Sequence, residues 1–163
     1  MNPAHFHLLV NHLPIIFPIV GILVMLAGFV TKSEVVKRTA CFIFVMGAVT
    51  TIAAMTSGEG AEDIVEKING VTKDVIHEHE ETAEKFAVLS YLLGAISLFG
   101  FWSSLKQKSF AKTVSYVALV FAFVMIFFAK QTGTTGGEIR HTEIRENQSN
   151  TIQYDNQKNE HDH

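Results

Sequence analysis

Four long apolar runs alternate with short polar stretches along this chain. Leu13–Val30, Thr39–Met55 and Phe86–Leu105 contain no Asp, Glu, Lys or Arg, and Phe110–Ala129 contains only Lys112, near its start. A helix needs about 20 apolar residues to cross the hydrocarbon core, within a range of roughly 17–25. Each run fits. The runs are apolar all round, where a soluble surface helix would keep a polar stripe. They also hold Gly21, Gly28, Gly47, Gly94 and Gly100, and membrane helices tolerate interior glycine better than soluble ones do. The pattern predicts an all-α, integral membrane four-helix bundle. Its spans lie at about 8–31, 38–57, 83–105 and 110–131, and residues 1–145 form one domain.

The polar stretches add detail. No Lys or Arg precedes Lys32 and no A-x-A-like site follows the first run, so that run reads as a retained helix and not a signal peptide. In the long stretch 58–82, Gly58 and Gly60 would allow a tight exit from the second helix. Ile64, Val65 and Ile68 recur at three- and four-residue spacing among acids, and Asn69-Gly70 is a turn signal. One or two short amphipathic helices lying over the end of the bundle are therefore expected. The tail from Glu146 to His163 is polar and rich in Asn and Gln, and is expected to be disordered.

Charge sets an orientation. Lys32, Lys37 and Arg38 sit between the first two spans, and Lys106, Lys108 and Lys112 between the last two, with Glu34 the only acid among them. The positive-inside rule then puts both short loops in the cytoplasm. Both termini and the long stretch face outward, in a multi-pass protein of the inner (plasma) membrane. The partner this implies is the lipid bilayer, and no nucleic-acid partner is expected.

The candidate chemistry gathers at the acidic, outward end. His5, His7, His12, His77, His79 and His141 all flank apolar runs there, beside Glu62, Glu78, Glu81 and Glu138. An imidazole near the hydrocarbon boundary is costly unless it is paired or coordinated, which makes it a functional candidate. In an unbroken helix His5 and His12 would lie nearly on one face, although Pro14 and Pro18 should kink it. His77 shares a face with Glu80 and Glu81, so a histidine could point inward with a carboxylate on its other ring nitrogen. Glu138 and His141 have the Glu-x-x-His spacing of di-iron bundles, but one such pair is a partial match. The single Cys41 can form no internal disulfide and reads as a small core residue.

These motifs resemble a family of bacterial membrane proteins grouped as domain of unknown function 2231. The likeness covers about residues 5–145. It rests on His7 and His12 with Leu13-Pro14, on Thr56-Ser57-Gly58, on His79, and on Gly136-Gly137-Glu138 with His141. Leu13 stands where Phe is more common, and the Gly-Gly-Glu to His spacing is shorter than in many members. The resemblance implies a membrane bundle and, through members beside cytochrome-like domains, an association with respiratory redox work.

Two readings of the site compete. In one, a pair of imidazoles ligates b-type haem for electron transfer, with His12 and His79 favoured and His7 and His141 as the other candidates. In the other, a transition metal ion (zinc, copper or iron) is coordinated directly by residues among His7, His12, Glu62, His77, His79, Glu81, Glu138 and His141. The alternative is a non-catalytic metal-handling protein, or an accessory subunit of a larger membrane complex with a redox partner. No catalytic residue is nominated.

Overall fold

The computed structural model describes residues 2–141 and 144–145. Its elements are α1 (Pro3–Val10), α2 (Leu13–Val30), α3 (Glu34–Val65), α4 (Lys73–Leu105) and α5 (Ala111–Arg140), and the described residues contain no strand. Four segments are long and apolar enough to cross a membrane: Pro3–Val30, Glu34–Val65, Lys73–Leu105 and Ala111–Arg140. α2 packs on α3, α3 on α4 and α4 on α5, and α5 returns to α2, which closes an up-down-up-down bundle.

The core sets a few large residues among small ones. Met25, Phe44, Leu93 and Met125 are fully buried beside Ala40, Ala118 and Ala122. The outward faces are just as apolar, with Leu23, Leu98, Val120 and Phe127 exposed. Small residues let the helices approach closely, the usual arrangement where lipid removes the hydrophobic drive between helices. A Cβ on Gly28 would sit 2.9 Å from the Lys37 backbone nitrogen.

Both turns at the basic end are built alike. Ser33 N–H bonds Gly28 O (3.0 Å) with Lys32 at φ 54°, and Lys108 N–H bonds Ser103 O (2.9 Å) with Gln107 at φ 49°. These are Schellman turns made without glycine.

Two features differ from the sequence pattern. The first span is broken at Asn11–His12, because Pro14 has no N–H for the Val10 carbonyl and its ring crowds that carbonyl. α1 therefore packs against α3 at its own angle. The separate amphipathic helices expected over 58–82 do not form. α3 runs through Gly58 and Gly60 to Val65, α4 begins at Lys73, and the turn between them contains Gly70 at φ 87°. Ala61 and Ile76 are buried in this extension, so the apolar spacing read as a surface helix serves helix–helix packing. At 1.5 Å per residue α4 is about 50 Å long, against a hydrocarbon core of about 30 Å. The acidic ends of α3 and α4 thus stand beyond the charge-free runs. The expected disordered tail, residues 146–163, lies outside the described residues.

Candidate functional site

At the acidic end, α1, α2, α3, α4 and α5 surround a cavity of about 140 Å³. Its walls are mostly apolar (Pro14, Ile15, Ala54, Met55, Ala83, Phe86), with Thr51 in the lining and His7, His12 and His79 among the polar groups.

His7 owes its place to local structure. Asn2 caps α1 by accepting from Ala4 N–H (2.9 Å), and Pro3 begins the helix. The break at Asn11–His12 lays α1 along α3, where Pro3 and His7 face Gly60 and Gly58. His7 Nδ1 lies 3.1 Å from Ala54 O and 3.0 Å from Ser57 Oγ. A carbonyl can only accept, so Nδ1 carries the proton, and in the neutral ring Nε2 keeps its lone pair.

His79 comes from α4 and is held by α5. Its Nδ1 is 3.2 Å from Thr135 Oγ1. Thr135 Oγ1 lies 3.2 Å from the Gln131 and Thr132 carbonyls and 2.9 Å from Thr82 Oγ1, while Thr132 Oγ1 donates to Thr82 O (3.0 Å). A hydroxyl that donates to its own helix accepts from the ring, so this histidine too presents an open Nε2. The His79 ring also makes a hydrogen bond with the Thr132 backbone, and the His7 bonds all run from Nδ1. The two rings are close enough for their charges to interact. Gly136 is what admits the His79 ring: a Cβ there would lie 2.9 Å from Cε1 and 3.3 Å from Nδ1.

The other candidates are placed differently. His12 lines the cavity but is exposed, with Nδ1 bonded to the Asn11 side chain. His77 is exposed and pairs with Glu80 at 3.8 Å, which fits the face sharing expected from the sequence. Glu62 meets Glu80 between α3 and α4. Glu81 is exposed and pairs with Lys85 at 3.4 Å. Glu138 is half-buried, and its carbonyl accepts from Arg145 Nε (2.8 Å). His141 is exposed at the C-cap of α5 with φ −106° and ψ 89°, so Glu138 and His141 do not form a helical pair. No three His, Cys, Asp or Glu side chains converge into a metal-binding group among the described residues. The inward histidine is backed by a hydroxyl, where a carboxylate was expected.

Sequence reasoning missed the hydroxyls. Ser57, Thr82, Thr132 and Thr135 orient the two rings, and Thr51 bonds Ser90 (2.7 Å) in the bundle interior. The signal available was Thr132, Thr135 and Gly136 at helical spacing in the stretch after the fourth run.

Fold and site together define a small helical membrane protein with four candidate spans and a cavity lined by three histidines at one end. The chain belongs to the predicted membrane protein family DUF2231, whose model matches residues 3–143. No curated protein and no solved structure matches it.

Proposed function

We propose that the cavity is an extracytoplasmic site for a single transition metal ion, bound by Nε2 of His7 and His79. The observation that carries this reading is the shared state of the two rings. Each half-buried imidazole lines the same cavity with its Nδ1 tied to the protein, which would leave Nε2 for a ligand. An outer partner on the other ring nitrogen is what orients a metal-ligating histidine. Imidazole donors suit zinc, copper, iron and nickel.

The cavity size narrows the choice between haem and an ion. Pockets for drug-sized ligands run to about 300–1,000 Å³, and a porphyrin is no smaller than such a ligand. A cavity of 140 Å³ suits an ion with a small ligand shell. Two protein ligands would leave coordination positions open, and His12 is a further imidazole in the lining. Such a site suits holding and handing on an ion, or presenting it to a partner, and no catalytic step is assigned. The positive-inside bias supports placing this end outside the cell and both basic turns in the cytoplasm.

The test is elemental analysis and a visible spectrum on detergent-purified protein prepared without chelators, with His7→Ala, His79→Ala and His12→Ala in parallel. One equivalent of metal that is lost in either of the first two variants supports the site. Loss in His12→Ala as well adds a third ligand. A Soret band would replace the ion with haem. Protein that neither carries metal nor takes up added Zn²⁺ or Cu²⁺ refutes the reading and leaves an accessory structural subunit.

A further inference from the structure

A second cavity lies at the opposite, basic end. Its volume is about 350 Å³, and it is framed by the start of α3, the end of α4, the α4–α5 corner and the first turn of α5. Arg38, Lys108 and Lys112 line it together with Ser104, Ser109 and Gln107. We infer that this pocket binds the phosphate of an anionic phospholipid headgroup.

The charges in it are arranged for a ligand and not for one another. Glu34 is the only acid in the lining, and its carboxylate is taken by Lys37 at 2.5 Å. Arg38, Lys108 and Lys112 have no carboxylate partner among the described residues. Arg38 is held from below: Nε donates to Ser104 Oγ (3.4 Å) and Nη2 to Ser104 O (3.3 Å). That leaves Nη1 of the guanidinium fork open. A planar fork beside two ammonium groups and a hydroxyl matches a phosphate in charge and in donor geometry.

The setting argues for a lipid as the source of that phosphate. Phe99 stacks on Trp102 and on Phe110, both at 5.7 Å, and Trp102, Phe110 and Tyr116 are exposed beside the pocket. Aromatic belts of this kind mark the headgroup level. Basic pockets between membrane helices at that level bind anionic headgroups. A volume of 350 Å³ also exceeds what a bare ion needs and falls in the range for a small organic ligand. The sharp corner at Gln107, in the left-handed region at φ 49°, turns Lys108 and Ser109 back over the end of α4. This inference does not depend on the histidine site.

The experiment is native mass spectrometry of the full-length protein, delipidated in detergent and titrated with phosphatidylglycerol, phosphatidylcholine or inorganic phosphate. The variant Lys108→Gln/Lys112→Gln removes two exposed charges with no carboxylate partner among the described residues, Lys112 touching only the Tyr116 ring face at 5.9 Å, and should fold. The control Lys32→Gln/Lys106→Gln removes two charges from the same end outside the pocket. Phosphatidylglycerol should bind one-to-one and more tightly than phosphatidylcholine. The pocket variant should weaken it by about fivefold per charge removed, and the control should leave it within about twofold. Equal losses in both variants would mean diffuse attraction and overturn the site. Equal binding of the two lipids would overturn the anionic specificity. Displacement of phosphatidylglycerol by inorganic phosphate at equal concentration would make this a soluble-anion site and overturn the lipid assignment.

Discussion

Replacing Gly136 with alanine separates the histidine site from the stability of the bundle. Gly136 lies inside α5, where Gly→Ala should stabilise the helix by about 1 kcal/mol. The added methyl, however, would stand 2.9 Å from Cε1 and 3.3 Å from Nδ1 of His79. Favourable carbon contacts begin near 3.5–4.0 Å, so the ring must retreat by roughly 0.5–1 Å. Its bond to Thr135 is already 3.2 Å long, and the retreat takes it past the limit of a hydrogen bond. Losing that bond costs about 0.5–1.5 kcal/mol, so the two effects nearly cancel. Gly133→Ala, one turn earlier, is the control. Its Cβ would meet only Ile15 Cδ1 at 3.7 Å, so it should gain about 0.4–1 kcal/mol. Thermal unfolding in detergent followed by circular dichroism should therefore rank Gly133→Ala above wild type, with Gly136→Ala near wild type. A competition titration with a chromophoric chelator should show metal affinity falling by about 10–100-fold in Gly136→Ala, the usual cost of losing an outer partner, and unchanged in Gly133→Ala. Gly136→Ala melting as high as Gly133→Ala, with wild-type metal affinity, would refute the packing of His79 on Gly136.

Three further outcomes follow from the packing. Ser97 is fully buried with no partner for Oγ among the described residues, so Ser97→Ala should raise the melting temperature, by about 1 kcal/mol of stability; a lower melting point would show that the hydroxyl is satisfied. Gly28→Ala pushes a methyl against the Lys37 backbone nitrogen at 2.9 Å and Cα at 3.2 Å, neither of which can rotate away. The α2–α3 crossing must widen, and the variant should lose roughly 1–3 kcal/mol in the same melt. Orientation can be read by thiol labelling in a Cys41→Ser background, since Cys41 is buried. A membrane-impermeant maleimide should label Asn69→Cys in intact cells and Gln107→Cys only after lysis, and the reverse pattern would overturn the positive-inside assignment.

The helices were legible because their determinants are local. Four apolar runs, three of them charge-free and the fourth holding only Lys112, and the alternation of loop charge mark the four candidate spans, and Asn69-Gly70 marks the turn that joins α3 to α4. The histidines and acids flank the same ends of the runs, and the histidine-lined cavity lies at that end. The identity of the inward histidines was less legible. His12 looks the better ligand on sequence because it adjoins the apolar run, and a continuous helix would carry His5 and His12 on one face. Pro14 removes that continuity, but the direction in which α1 then swings depends on what it can pack against. That surface is α3 at Ala54, Ser57, Gly58 and Gly60, about fifty residues away in sequence.

The glycines are ambiguous for the same reason. Gly58 and Gly60 could end a helix or admit a neighbour, and only the tertiary packing shows that Gly60 admits Pro3, with a Cβ there 3.0 Å from Pro3 Cβ, while Gly58 makes ordinary contact with His7. Gly136 likewise admits His79. In each case the glycine lies on one helix and the side chain it accommodates on another, so the pair has no spacing that a sequence pattern can display. The hydroxyls follow suit. Ser57 and Thr135 gain their roles from rings delivered by α1 and α4; without its ring Ser57 would bond only its own helix, and Thr135 its own helix and Thr82. A two-histidine site built this way depends on the docking of α1 and α5 as much as on the histidines. Substitutions at Pro14 that restore a continuous first helix should therefore withdraw His7 from Ala54 and weaken the site while every ligand remains in the chain.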